Sequence, residues 1–302
     1  MSWKVTLPCT RAEAEALKAD IAAFAALDAP PVLMTSEADS AQPDAWRLDA
    51  YFEAEPGRGD IALLRALVPS ASRNKAMVEK LPDADWLTLS QAGLEPIRAG
   101  RFFVHTPAHR GDAPAGATAF EIDAGRAFGT GQHETTAGCL VALDRLKRQG
   151  AVFANVADIG TGTGLLAFAA MTLWPAARAI ASDVDPVAIE VAAENAAINQ
   201  VPIGHGPGRL ALVAAPGLDH RALIARAPYD LLIANILAGP LIDLAPAFAA
   251  ALAPGGRLIL AGLLDSQKAR VIAAYKGRGL ARQFEVMGGE WPTLVLRRRP
   301  RR

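Results

Sequence analysis

Cysteine is scarce in this chain of 302 residues, with Cys9 and Cys139 the only two and neither part of a C-x-x-C pair. Two isolated thiols exclude a disulfide scaffold and suit a reducing compartment. An excess of charge is missing as well, because 31 Lys and Arg balance 31 Asp and Glu. Bulk electrostatics therefore offer no pull toward nucleic acid or an anionic membrane. Long apolar runs are absent too. L-I-L-A-G-L-L at 258–264 is among the longest, far below the about 20 residues that span a bilayer. The opening M-S-W-K-V-T-L-P places Lys4 where a signal peptide would continue apolar. These gaps lead to the expectation of a cytoplasmic protein with no membrane contact and no direct RNA contact. The terminal R-R-R-P-R-R then reads as a solvated tail. The length suits two domains, at roughly 100–200 residues each.

What is present falls into three stretches. In residues 1–92, S-W-K-V-T-L alternates as a strand, and the segment 11–27 has helical spacing behind Thr10 as N-cap. P-V-L-M-T-S-E-A and W-R-L-D-A-Y-F-E-A read as two strands around a polar turn. Asp60 is placed to cap a second helix, and D-W-L-T-L-S at 85–90 supplies a last strand. The order β-α-β-β-α-β predicts a ferredoxin-like α+β domain. Residues 93–126 form a Gly/Pro-rich connector carrying one strand, R-F-F-V-H-T, and able to act as a hinge.

From 127 to 302 strands and helices alternate. Strands begin near Asn155, Arg178, Leu210, Tyr229 and Gly256. Helices cover Thr163–Leu173, Pro186–Ile198, a short piece near 219–226, Pro240–Leu252 and a segment capped by Ser266. Two strands, R-Q-F-E-V-M-G and T-L-V-L-R-R, close the chain with no helix between them, so at least one runs antiparallel. The alternation predicts a mostly parallel α/β sheet covered on both faces. A seven-stranded sheet ending in such a hairpin is similar to the Rossmann-like class I methyltransferase fold.

Three motifs carry chemistry. V-A-D-I-G-T-G-T-G-L-L-A at 156–167 puts glycines after a strand and before a helix, where a ligand can approach the backbone. A dinucleotide loop, G-x-G-x-x-G, needs a third glycine at the position of Leu165. D-x-G-x-G-x-G instead resembles motif I of S-adenosylmethionine-dependent methyltransferases, making Gly160, Thr161 and Gly162 candidate cofactor contacts. Tight βα turns also use glycine for steric reasons alone. In A-S-D-V-D-P, Asp183 ends the next strand, where a carboxylate can accept both ribose hydroxyls. Asp185 takes the helix-capping role before Pro186 and leaves Asp183 free. In Y-D-L-L-I-A-N-I-L-A-G-P-L, Asn235 ends the fourth sheet strand, where open α/β sheets bind ligands. Its amide carbonyl can accept an N–H from a substrate amine and aim the nitrogen lone pair. The alternative role is to satisfy turn backbone.

The segment A-F-G-T-G-Q-H-E-T-T at 127–136 fits neither of two familiar sites. A zincin needs H-E-x-x-H, and Ala137 stands at the second histidine; a Walker loop needs Lys after its last glycine, and Gln132 follows Gly131. No metal site is expected, and His133 reads as a turn residue. What remains is a glycine-hinged loop ahead of a helix beginning near Thr135; the resemblance to class I methyltransferases implies that this element covers the cofactor. Phe128 is placed to pack on adenine or methionine, and Thr135 or Thr136 to hydrogen-bond the amino-acid end.

Taken in order, A-F-G-T-G-Q-H-E-T-T, D-I-G-T-G-T-G, D-V-D-P and A-N-I-L-A-G-P-L resemble the methyltransferase family of large-subunit ribosomal protein L11, over the full length of the chain. The resemblance implies S-adenosylmethionine contacts at Thr136, Gly160, Asp183 and Asn235, with Phe128 in the covering loop and S-adenosylhomocysteine as product. It also implies that residues 1–92 recognise substrate, that residues 127–302 bind cofactor, and that lysine side chains or an N-terminal amine of ribosomal protein L11 are trimethylated by a monomer. Glu134 replaces a proline usual after the histidine, and Thr161 and Thr163 stand where Cys and Ser are usual. Three alternatives stay open: a lysine methyltransferase of the electron-transfer flavoprotein β-subunit, a nicotinamide oxidoreductase, and a non-catalytic ribosome-associated protein.

Overall fold

The computed structural model describes residues 2–17, 31–37, 45–52, 54–72, 74–81, 96–122 and 133–300. The chain divides into two units, Met1–Ser90 and Gln91–Arg302.

In the first unit β1 (Ser2–Thr10) pairs antiparallel with β3 (Ala45–Phe52) and with β4 (Met77–Leu81), while β2 (Val32–Glu37) lies outside β3. Period-two alternation sorts the strands into two faces. Val5, Leu7, Leu48, Ala50 and Phe52 are buried on one face. On the other, the buried Asp49 gathers Lys4 at 3.2 Å, Arg47 at 3.3 Å and the Thr6 hydroxyl at 2.6 Å. Helix α1 (Arg11–Leu17) opens with Thr10 as expected. The Thr10 N–H donates to Glu13 Oε2 at 2.8 Å and the Glu13 N–H to Thr10 Oγ1 at 3.3 Å, a capping box. Helix α2 (Arg58–Leu67) starts earlier than the sequence indicated. Gly57 is its N-cap, and Asp60 sits three residues in, accepting the Gly57 N–H at 2.7 Å. The β-α-β-β-α-β order is present. Its fourth strand is Met77–Leu81, while the expected strand at 85–90 and positions 18–27 of the first helix lie outside the described residues.

The second unit begins with a small sheet where one strand was expected. It consists of β5 (Ile97–Ala99), β6 (Phe102–His105) and β7 (Thr118–Glu121). Phe102, Val104, Phe120 and Ile122 are buried in one core with Leu140, Leu143 and Phe168. Residues 96–122 are therefore packed structure, with three strands where the connector was expected to carry one.

Then follow α3 (His133–Arg148), β8 (Asn155–Ile159), α4 (Leu165–Leu173), β9 (Arg178–Asp183), α5 (Pro186–Ile198), β10 (Leu210–Ala214), α6 (Arg221–Arg226), β11 (Tyr229–Asn235), α7 (Ala238–Asp243), α8 (Ala245–Ala251), β12 (Leu252–Ala261), α9 (Asp265–Lys276), β13 (Leu280–Gly288) and β14 (Trp291–Arg298). The sheet order is β10-β9-β8-β11-β12-β14-β13, parallel except for β14. Both faces are covered, so neighbouring strand residues enter opposite cores. Leu231 and Ile233 of β11 face one, Leu232 and Ala234 the other.

Two helix boundaries differ from expectation. The predicted single helix at 240–252 breaks at Leu244 and restarts with Pro246 in the first turn of α8, a position that proline tolerates. Helix α9 is capped at Leu264, whose N–H donates to the Gln267 side chain at 2.9 Å, so Ser266 lies inside the helix.

Candidate functional site

Chain direction across the sheet reverses between β8 and β11: β9 and β10 extend to one side of β8, while β11 and β12 extend to the other. The loops leaving adjacent carboxyl ends there diverge and open a crevice. Three of the expected residues stand at these ends, Gly160 after β8, Asp183 at the end of β9 and Asn235 at the end of β11.

The glycine loop is pinned before any ligand arrives. The Gly160 and Thr161 N–H groups both donate to the Ser182 carbonyl of β9, at 2.8 and 2.9 Å. Gly160 has φ +73°, and a Cβ there would sit 2.2 Å from Ile236 Cγ2, so the position demands glycine twice over. The Gly162 N–H donates to Asp183 Oδ2 at 2.9 Å, and the Asp185 N–H donates to Asp183 Oδ1 at 3.1 Å. Asp183 is thus not the free carboxylate expected. Each oxygen holds one backbone N–H, which fixes the group and leaves further lone pairs to accept hydroxyls. Asp185 caps α5 as expected, accepting the Val187 N–H at 2.9 Å.

Thr161 does not face a ligand with its side chain. Its hydroxyl donates to Asp158 Oδ2 at 2.6 Å, and its carbonyl accepts the Gly164 N–H at 3.0 Å. Its part is to hold the loop. Asp158 also accepts the Ala167 N–H on Oδ2 at 3.2 Å, while its buried Oδ1 has no hydrogen-bond partner among the described residues. Burial, with a smaller push from Asp183, raises the Asp158 carboxyl to about 7 despite those two donors. The sequence marks Asp158 only as part of a motif; the orphaned oxygen becomes visible only in the packing. Asn195, also unmarked by sequence, braces the same loop by donating its amide to the Thr163 carbonyl at 3.1 Å.

The two candidate threonines separate. Thr136 on α3 lies half-buried, with its hydroxyl oxygen 3.5 Å from Asn235 Nδ2. Thr135 has no exposed surface and belongs to the packing. In the same amide orientation Asn235 Oδ1 is buried without a partner among the described residues. The acceptor is therefore held in place and unspent. Phe128 and the rest of the covering segment at 127–132 lie outside the described residues. An apolar groove of about 470 Å³ between α6 and α8, lined by Leu218, Leu223, Ile224 and Leu244, contains none of these residues.

The arrangement holds a carboxylate fixed by two backbone N–H groups, a glycine loop that permits close backbone approach, and an oriented amide at one sheet edge. It fits a nucleoside cofactor carrying an electrophilic group opposite an amine. Comparison with known proteins agrees. The family model described as ribosomal protein L11 methyltransferase (PrmA) matches residues 3–299. A ribosomal protein L11 methyltransferase of Rhizobium etli is 43% identical over 265 residues, 86% of this chain and 87% of that protein. One of Brucella suis is 46% identical over 219 residues, 72% of this chain and 74% of that protein. Among solved structures, the ribosomal protein L11 methylase of Lactobacillus delbrueckii subsp. bulgaricus superposes with a TM-score of 0.58 at 27% identity, covering 68% of this chain and 99% of that one. The chain belongs to the ribosomal protein L11 methyltransferase family and is an S-adenosylmethionine-dependent methyltransferase.

Proposed function

We propose that this chain methylates lysine side chains and the N-terminal amine of ribosomal protein L11, up to the trimethylated state, acting in the cytoplasm as a monomer. The observation that carries the reading is the buried Asn235 Oδ1 at the carboxyl end of β11, unpartnered among the described residues. A buried acceptor without a donor costs about 1–3 kcal/mol. A substrate N–H placed there recovers that cost and points the nitrogen lone pair away from Asn235.

S-adenosylmethionine supplies an electrophilic methyl group on a sulfonium. Asp183, fixed by two backbone N–H groups, would accept the ribose hydroxyls with its remaining lone pairs. Gly160 and Gly162 would give the backbone approach, and Thr136 would reach the amino-acid end. Positioning is the main contribution open to the enzyme. An α-amine with a pKa near 8 is partly neutral already; a lysine near 10.4 must lose its proton, and burial beside a cation favours that loss. The proton leaves to water before the site closes, so no dedicated base is required. The first 92 residues recognise the substrate protein.

The role of Asn235 changes as methyls accumulate. A neutral primary amine has two N–H groups, a monomethylamine one, and a dimethylamine none. Asn235 therefore orients the first two transfers, and the third relies on pocket shape alone.

The test is methyl transfer from labelled S-adenosylmethionine to isolated ribosomal protein L11, read by mass spectrometry. Asn235→Ala is expected to lower kcat about 100-fold, on the order of a lost transition-state donor or acceptor, while cofactor affinity stays within a few-fold. An intact protein that binds S-adenosylmethionine and leaves ribosomal protein L11 unmodified would sink the assigned substrate.

A further inference from the structure

The face of the large sheet that packs on α3 carries an aromatic ring at the same edge as Asn235. Trp291 opens β14, and its place follows from register. Asn235 pairs with Ala261 of β12, and the pairing of Leu260 with Leu294 continues so as to set Ala261 beside Thr293. Side-chain alternation gives Trp291 the face of Thr293 and Val295. Val295 is buried in the core under α3, and a Cβ at Gly138 of that helix would collide with Thr293 Oγ1. Gly288, which pairs with Trp291, points the same way: a Cβ there would meet Glu134 Cβ of α3 at 3.3 Å. Asn235 shares this face with Leu231 and Ile233, and its Nδ2 lies 3.5 Å from Thr136 Oγ1 on the same helix. Trp291, Thr136 and Asn235 therefore border one opening, and all three are partly exposed.

The spacing suits a shared ligand. Two strand separations of about 4.8 Å and two residues of about 3.4 Å lie between the Asn235 and Trp291 Cα atoms, roughly 12 Å in all. An asparagine amide, an amine hydrogen-bonded to it and an indole with a cation up to about 6 Å from its centroid together span that gap. Ala261 stands between them with only a methyl group. Glu134 bounds the ring on the side of the edge strand. Among the described residues the indole stacks on no other ring, carries no cation and makes no hydrogen bond. The segment that follows Asn235, I-L-A-G-P, offers no ring of its own.

We propose that Trp291 is the surface against which the substrate amine receives its third methyl group, so that this residue sets trimethylation as the end point. The inference rests on the proposed amine methylation and adds a specificity residue to it. A dimethylamine has no N–H for Asn235, so hydrogen bonding no longer orients it. Its methyl groups are apolar, and the charge that develops on nitrogen during transfer spreads over them. An indole face matches both properties: it packs the methyls and attracts the forming quaternary cation through its quadrupole. Neither contact requires a donor on the ligand. In this step a neutral amine forms the N–C bond as the S–C bond breaks; the sulfonium charge passes to nitrogen, and no proton is released.

The experiment uses the full chain, isolated ribosomal protein L11 and excess S-adenosylmethionine, with mass spectrometry following the mono-, di- and trimethylated species to give three successive rates. Trp291→Leu keeps an apolar side chain and removes the ring. It is expected to slow the third transfer about tenfold, so that dimethylated product accumulates, with the first transfer within about threefold of wild type. Trp291→Phe retains a weaker π face and is expected to recover most of the third rate. Affinity gives a second readout that packing alone would not move. With S-adenosylhomocysteine present, wild type is expected to bind a trimethyl-lysine peptide about tenfold more tightly than its neutral tert-butyl isostere, and Trp291→Leu to bind the two alike. Equal slowing of all three transfers, an unchanged third rate in Trp291→Leu, or a wild type with no preference for the cation overturns the proposal. Wild type that leaves ribosomal protein L11 unmethylated yet prefers the cationic peptide counts against the substrate assignment and supports the role of Trp291.

Discussion

Asp158→Asn is expected to erase a pH dependence of stability that the wild type carries. The Asp158 carboxyl is buried and raised from 3.8 to about 7 in the folded chain. Because the folded value lies above the unfolded one, the folded state binds the extra proton between pH 4 and 7. Stability from this group is therefore complete below about pH 4 and is lost as pH rises through 7. With those two values the loss between pH 5 and pH 8.5 is about 2–3 kcal/mol. Glu13, held down to about 2 by donors from Thr10 and Ser70 against the cost of burial, titrates below that window. In the variant the amide oxygen can take over the Thr161 and Ala167 hydrogen bonds, while the amide nitrogen replaces the unpartnered Oδ1. That nitrogen is a buried donor without a partner and costs about 1–3 kcal/mol at every pH. The offset between the proteins is thus secondary, and the slope carries the result. Urea unfolding at pH 5, 6, 7 and 8.5 should show the wild-type midpoint falling across the series relative to the variant. Parallel midpoints for the two proteins would refute the reasoning.

Asp183→Ala should weaken S-adenosylmethionine binding at least tenfold by calorimetry, since hydrogen bonds to a charged acceptor are worth about 1.5–3 kcal/mol; unchanged affinity would remove Asp183 from the ribose site. Thr136→Val should lower kcat/KM several-fold, whereas Thr135→Val should shift only the melting temperature; equal kinetic effects would contradict the separation of the two by burial. Asn235→Ala should deplete the dimethylated intermediate relative to mono- and trimethylated products at equal conversion, as the first two transfers slow and the third does not; uniform slowing of all three steps would deny the amide its orienting role. Gly262→Ala should lower kcat while sparing cofactor affinity, because a Cβ at φ +84° would lie 2.4 Å from the Ile236 carbonyl oxygen; wild-type kcat would show that the Asn235 loop tolerates displacement.

The strands flanking the site were readable because they are buried on both faces. V-A-D-I, A-I-A-S and L-L-I-A are apolar almost without interruption, as buried parallel strands require. Asp183 and Asn235 stood out as polar residues ending such runs. The small sheet was not readable: β5 has three residues, β6 and β7 four each, and β6–β7 pairing spans an intervening Gly/Pro segment. Local pattern carries no signal for a pairing that the larger core creates. Helix starts at Asp60 and Ser266 were misplaced for one reason. In both, a side chain three residues into the helix reaches back to the cap, and the cap itself, Gly57 or Leu264, has no polar side chain to announce it. The inward turn of the Thr161 hydroxyl and the orphaned oxygens of Asp158 and Asn235 depend on packing that spacing along the chain does not encode.

The glycines of the site act on one another through a single side chain. Ile236 follows Asn235 and is wedged between two positions where no Cβ fits, its Cγ2 against Gly160 and its backbone against Gly262. Its N–H donates to the Ala261 carbonyl at 3.2 Å. The turns after β8, β11 and β12 are thereby locked together, and the loop meant to receive the cofactor shares a wall with the residue meant to receive the amine. Asn235 gains its orientation from this wedge and from Thr136 on α3, not from a hydrogen-bond partner on its carbonyl oxygen. Fixing an acceptor by packing keeps its lone pairs for the substrate. A conventional cap or turn role for Asn235 would have consumed them, and their being unspent supports the proposed contact with a substrate amine.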